Sequence, residues 1–164
     1  MSSKDRDWLL QSLRKHLAPA FEAKGFRAVP LTENELGSSE IRTASPLGTL
    51  KRERDGGTDL VEIQLDKRGA AAFRLNCGVA PKGDLHHQIG VIAHEDIRVH
   101  YLPRYFEAYR CPLFRMWFSV RHVFRSSNRE DYEKLILDNL SLVGEVENAL
   151  LSGSVGPHLR EIQR

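Results

Sequence analysis

The chain has 164 residues, 41% of them hydrophobic and 28% charged, with a formal net charge of +2. These values suit one ordinary domain with enough apolar material for a real core, and they exclude a collagen-like or low-complexity chain. No apolar run approaches the roughly 20 residues of a membrane span, and "MSSKDRDWLL" lacks a signal-peptide core, so a cytoplasmic protein with no membrane contact is expected.

From Asp7 to about Lys24, Leu9, Leu13, Leu17 and Phe21 recur on one helical face, with Ser2 or Ser3 as cap. Gly25 supplies a left-handed stop and Phe26 folds back on the last turn, while Pro19 is expected to kink or split the helix near Leu17. Residues 30–48 are rich in Ser, Thr, Gly and Pro and read as a loop with a short strand at 40–43. Three antiparallel strands follow, "TLKRER", "DLVEIQLD" and "AAFRLNCGVA", joined by Gly-containing turns.

Their alternation points Val61, Ile63, Leu65, Phe73, Leu75, Cys77 and Val79 into the core. After the loop "PKGDLHHQIG", two further strands are expected, Asp96 to Leu102 and Leu113 to Val123, with "PRYFEAYRCP" as a short helix between them. Ser127 stands three residues before Glu130 as a capping box, and Tyr132, Leu135, Ile136, Leu140, Val143, Val146 and Leu150 continue as a helical stripe. Gly153 and Gly156 release a tail. The expected organisation is a single α+β domain over 1–152, with an antiparallel sheet of about five strands flanked by N- and C-terminal helices, and a tail at 153–164.

Charge is distributed unevenly. Residues 98–125 carry six Arg against Glu107 alone, whereas residues 1–97 balance at 14 basic and 14 acidic. A local basic block suits an anionic partner surface better than bulk nucleic-acid affinity. Cys77 and Cys111 have no CxxC or Cys/His ligand spacing and read as reduced thiols.

Two stretches resemble a bacterial family catalogued only as a domain of unknown function. "KHLAPAFEAKGF", Lys15 to Phe26, is similar to that family's opening helix with its Pro and terminal Gly-Phe; "VEIQLDKRGAAAFRLNCGVA", Val61 to Ala80, is similar to its central hairpin. In that hairpin a Gln on one strand faces an Asn followed by Gly or a small residue on the next, and Gln64 and Asn76 occupy those two positions. The resemblance covers roughly the first half of the chain. It implies a helix-flanked antiparallel sheet and no agreed activity; some members accompany bacterial toxin systems.

His86, His87, His94 and His100 lie near Glu95 and Asp96, the residue types of a zinc or general-base site. Neighbouring His86 and His87 on a loop do not aim at one ion, and no HExxH pattern follows, so a surface loop is the better reading. No GxSxG elbow or phosphate-cradling glycine pattern is present, and neither cofactor nor metal is expected.

Outward parity collects Glu62, Gln64, Arg74 and Asn76 from the meander, Arg98 and His100 from the fourth expected strand, and Arg115, Trp117, Ser119 and Arg121 from the fifth. Arg forks, amides and a Trp are groups that recur at binding hot spots, although antiparallel sheets routinely carry one solvated face, with Glu62 and Arg74 as an ordinary cross-strand pair. Three functions stay open. The first is a non-catalytic binding or interaction protein, of antitoxin or immunity type, using the polar sheet face at Gln64, Arg74, Asn76, Arg98, His100, Arg115, Trp117 and Arg121. The second is a nucleic-acid binder using the Arg and aromatic residues of 98–125, although Phe114, Met116, Phe118 and Val120 share a core-like parity. The third is a small hydrolase at His86 to His100.

Overall fold

In the computed structural model, which describes residues 3–164, the N-terminal stripe winds into one helix, α1 (residues 3–22), of three segments: Ser3–Ser12, a π turn at Leu13–Leu17, and Ala18–Glu22. Pro19 offers no N–H and its ring crowds the carbonyl four residues back, so the ladder widens there and the Ala18 N–H bonds Leu13 O. The expected break near Leu17 therefore takes the form of a π turn. Gly25 closes the helix at φ +89°, and the Phe26 ring meets Phe21 edge-on at 5.5 Å. Of the two proposed caps, Ser2 lies outside the described residues.

Strand β1 (Arg27–Val29) then joins the sheet. Residues 30–48 are not an irregular loop with a strand; they hold two short helices, α2 (Glu33–Leu36) and α3 (Ser39–Ala44). The polar residues that suggest a loop are their caps. Thr32 and Glu35 exchange backbone hydrogen bonds in a capping box, and Ser38 accepts from the Ile41 N–H.

The meander forms as expected: β2 (Thr49–Arg54), β3 (Gly57–Leu65) and β4 (Ala72–Ala80), with Val61 opposite Cys77, Ile63 opposite Leu75 and Leu65 opposite Phe73. A separate hairpin follows, β5 (Leu85–His87) and β6 (Gly90–Ile92). The strand expected at Asp96 to Leu102 is replaced by single turns at His94–Asp96 and Val99–Tyr101. Here the backbone serves side chains instead of a ladder, because the Val99 N–H donates to Glu62 Oε1 at 3.0 Å.

The short helix expected at 103–112 is instead β7 (Arg104–Ala108), whose alternating Tyr105/Glu107 and Phe106/Ala108 suit a strand with both faces packed. From Leu113 to Val123 only β8 (Phe118–Ser119) is extended. Phe114 is exposed, Met116 and Val120 are half-buried, and Phe118 alone of that expected core set is buried.

The C-terminal stripe divides into α4 (Arg129–Leu137) and α5 (Leu142–Ser152). Asn139 Nδ2 donates to the Leu135 carbonyl at 2.8 Å, one of the local bonds that compete with a continuing helix. The cap is Asn128 with Asp131, one residue beyond the Ser127/Glu130 pair. Gly153 ends α5 at φ +72°, and the residues set apart as a tail supply edge strand β9 (Leu159–Gln163), paired with β7.

The result is a seven-stranded antiparallel sheet of order β1-β2-β3-β4-β7-β9, with β8 also on β4. On one face Leu50, Val61, Ile63, Leu65, Phe73, Leu75, Cys77 and Phe106 form a buried cluster with Leu9, Leu13, Leu17 and Phe21 of α1, Ile136 of α4 and Val146 of α5. Val79 departs from its expected place in that core and is 37% exposed. Its cross-strand neighbour is Asp59, which Arg52 and Arg54 surround, so an ion-pair cluster, joined through Arg52 by Glu147 of α5, occupies that end of the face.

The other face is covered too. Leu60, Ala80, Ile97, Val99, Leu102 and Tyr105 make a second buried cluster over it. Gly78 permits the close approach, since a Cβ there would lie 2.6 Å from Leu102 Cδ1. Among the described residues no helix is long and apolar enough to cross a membrane.

Candidate functional site

The cover on the polar face is incomplete, and what it leaves is a cavity of about 470 Å³. Its floor is the sheet row in which Glu62, Asn76 and Glu107 stand opposite one another on β3, β4 and β7, with Gln64 and Arg74 paired beside it. Its walls are α3, Arg98, His100 and Tyr101 from the turn segment, Tyr105 of β7 and Arg164 at the C-terminus. Five of the eight residues assigned to the binding face, Gln64, Arg74, Asn76, Arg98 and His100, therefore line one space, together with Glu62.

Most of this face is not a solvated surface, although His100 is exposed at its edge. Glu62, Asn76, Arg98 and Glu107 are all buried. The partner of Glu62 is Arg98 at 3.2 Å, not Arg74, and the same guanidinium holds Glu35 at 3.0 Å and Ser45 Oγ at 2.9 Å. Burial pushes the Glu62 carboxyl above the ordinary carboxylate range, and the Arg98 charge and the Val99 N–H pull it back. Arg98 thus pins α2, the segment after α3, and β3 together.

Arg74 is equally fixed. Its Nε donates to Gln64 Oε1 at 2.8 Å, its Nη1 reaches Glu107 at 3.2 Å and also donates to Tyr109 OH, and its guanidinium lies 5.0 Å from the Trp117 ring centroid and 5.4 Å from that of Tyr109. The Tyr109 hydroxyl donates to Glu107 Oε2 at 2.6 Å. Trp117 does not stand on a bare face; it stacks on Arg74, and the cover that a half-exposed ring requires is supplied from within the chain.

Two polar atoms of this network are left over. Asn76 spends its Nδ2 on Gln64 Oε1 at 2.8 Å, but its Oδ1 is buried without a hydrogen-bond partner among the described residues; so is Arg98 Nε. Asn76 is 6% and Arg98 4% exposed, and both line the cavity. Buried polar atoms are nearly always bonded, so one unpaired acceptor and one unpaired donor on two side chains that line the same cavity mark hydrogen-bonding capacity left open beside it.

Formal charge in the lining balances, with Glu40, Glu62 and Glu107 against Arg74, Arg98 and Arg164. His100 adds no charge near neutrality, because lost hydration, and then Arg98 and Arg164, lower its pKa to about 4.

The remaining three candidates lie apart from this lining. Arg115 caps the Pro112–Phe114 turn in the left-handed conformation, φ +51°, and is exposed. Arg121 lines a different groove with Arg110, His122 and Asp131; Trp117 approaches only through Arg74. The basic block is dispersed as well: Arg98 is buried, Arg104 pairs with Glu161, and Arg125 pairs with Asp131 at 2.6 Å.

Sequence reasoning did not assign Glu35, Ser45, Glu107, Tyr109 or Arg164 to the site. Two signals were available for them: the Thr32-x-x-Glu35 spacing that caps α2, and Glu107 as the single acid in an Arg-rich block.

His86 and His87 are exposed on β5, and His94 bonds the Gly83 carbonyl at 3.0 Å. Among the described residues no group of three or more His, Cys, Asp or Glu is arranged to hold a metal ion. Burial pushes the Cys77 thiol far up, away from nucleophilic use. Compared with family models, curated proteins and solved structures, the chain matches none.

Proposed function

We propose that this is a non-catalytic binding protein whose polar sheet face is the floor of a pocket for a small, net-neutral, amide-like ligand. The observation that carries this reading is the pair of buried unpartnered atoms, Asn76 Oδ1 and Arg98 Nε, on side chains that line one cavity. A ligand N–H or O–H satisfies the first, and a ligand carbonyl or carboxylate oxygen the second.

The balanced lining argues against a strongly anionic occupant such as a nucleotide, whose charge would meet Glu40, Glu62 and Glu107 as well as the arginines. The carboxylates beside Asn76 are already engaged, Glu62 by Arg98 and Glu107 by Arg74 and Tyr109, so neither serves as a free general base. The test is a titration of the labelled protein with N-acetylglycinamide and, separately, inorganic phosphate, following the Asn76 side-chain amide and the Arg98 Nε–H by NMR. Selective shifts of both signals with the amide are expected; a response to phosphate alone overturns the reading.

Recognition of another protein is the second reading, favoured by Leu113 and Phe114 at one loop and Val123 and Phe124 at another, all strongly exposed and close in sequence to Arg115 and Arg121. A photoreactive residue replacing Phe124 tests it: a discrete cross-linked partner in cells supports it, and no product contradicts it.

A further inference from the structure

A second chamber of about 290 Å³ adjoins the first, and the two share Ile41, Arg98 and Tyr101 as common wall. Its remaining lining comes from α2 (Asn34 and Glu35), Asp96, and the β5–β6 hairpin with His87, Ile89 and Ile92. The polar members of this lining are largely spent on each other. Asn34 Nδ2 and Thr32 Oγ1 both donate to Asp96, at 3.1 and 3.0 Å, and Glu35 is held by Arg98. What remains open in the wall is Ile41, Ile89 and Ile92, with the His87 imidazole and the Tyr101 ring beside them. Ile89 is 90% exposed at the hairpin tip, beside the half-buried Ile92.

We infer that the two chambers form one bipartite site, in which the amide head of the ligand bonds Asn76 and Arg98 and a branched aliphatic group of the same ligand enters between Ile41, Ile89 and Ile92. The inference rests on the polar pocket proposed above and adds the ligand's apolar half. Three features support it. The chambers lie on either side of a shared wall of Ile41, Arg98 and Tyr101, in which the Arg98 guanidinium is pinned by Glu35, Glu62 and Ser45 while its Nε has no partner among the described residues. The first chamber offers hydrogen bonds and little apolar wall beyond Ile41, Ala44 and the two Tyr rings; the second offers apolar wall and few open hydrogen-bonding groups. A leucine-like neutral amide matches both halves, with its polar atoms and its side chain separated by only a few bonds.

The test compares N-acetylglycinamide with N-acetylleucinamide, which share the neutral amide head and differ by the isobutyl group. Binding is followed through the Asn76 side-chain amide and the Ile89 and Ile92 methyl signals. In the wild type the leucine compound should bind about ten-fold more tightly, the lower range for filling an apolar pocket with a few carbons.

Ile89→Ser, at a position too exposed to disturb folding, should remove most of that advantage and leave the glycine compound unchanged, whereas Asn76→Ala should weaken both compounds. Equal affinity of the two amides in the wild type, or an advantage that survives Ile89→Ser, overturns the bipartite site while leaving the polar pocket standing. Failure of either compound to shift Asn76 overturns the pocket and this inference together.

Discussion

Asn76 donates its side-chain amide to Gln64 Oε1 across the β3–β4 pair, and in doing so turns its own carbonyl oxygen into a buried position with no donor among the described residues. Gln64 Oε1 is already bonded by Arg74 Nε at 2.8 Å, so the amide orientation of Gln64 is set, and that of Asn76 follows from it. The unpaired acceptor is a consequence of the network around it. Such an atom costs stability in the empty protein, the pattern expected where function competes with folding.

Asn76→Ala is accordingly expected to be nearly neutral for the ligand-free protein. The substitution loses one hydrogen bond but also removes an unsatisfied buried oxygen, so the net change should stay within about 1 kcal/mol. Urea denaturation checks this, and a loss above about 2 kcal/mol would mean that the oxygen is satisfied in solution.

The adjacent residue should behave in the opposite way. Leu75 is fully buried in the main core, so Leu75→Ala should cost about 2–5 kcal/mol by leaving a cavity. A change near zero in the same denaturation experiment would invert the assignment of the two sheet faces.

Arg98→Met should be strongly destabilising, by about 3–5 kcal/mol, because it strands Glu62 as a buried charge. Adding Glu62→Gln should recover part of the loss. The pH dependence has a definite sign. The carboxyl of Glu62 is raised in the native state, so its stabilising contribution is full below the ordinary carboxylate value and is lost as pH rises through the native value. Arg98→Met should extend that fall to higher pH, and Glu62→Gln should flatten it; melting temperatures between acid and neutral pH measure both.

His100 acts in the other direction. Its pKa is lowered to about 4, so its contribution to stability is present above the ordinary imidazole value and is lost as pH falls toward 4. His100→Gln should therefore be relatively more stable than wild type at low pH and indistinguishable from it near neutrality. An NMR titration that places the His100 midpoint near 6.5, the ordinary imidazole value, would contradict the assignment.

Much of this arrangement can be read in the chain, and the unread part has a common cause. Alternation and turn glycines define β2, β3 and β4, and they place Gln64, Arg74 and Asn76 on one side because strand periodicity is a local property. The roof is not local. Arg98 reaches the same side from a turn, through partners 36 and 63 residues away, so its strand-like parity leads to the right face by a different route.

Helices α2 and α3, of four and six residues, are too short for a periodic stripe, and only their caps announce them. Strand β9 is likewise concealed behind Gly153, Gly156 and Pro157, which read as a release from the fold and in fact lead back into the sheet beside β7. Whether the polar face is solvated, covered or hollow depends on these long-range elements. Composition and spacing leave that choice open.

A crystal structure of the protein soaked with N-acetylglycinamide would show directly what the cavity over Asn76 and Arg98 holds. The account predicts one amide in the cavity, its N–H within hydrogen-bond distance of Asn76 Oδ1 and its carbonyl oxygen within the same distance of Arg98 Nε. A cavity holding water alone at that soak, or an Asn76 carbonyl already bonded by a donor of the protein itself, would contradict it.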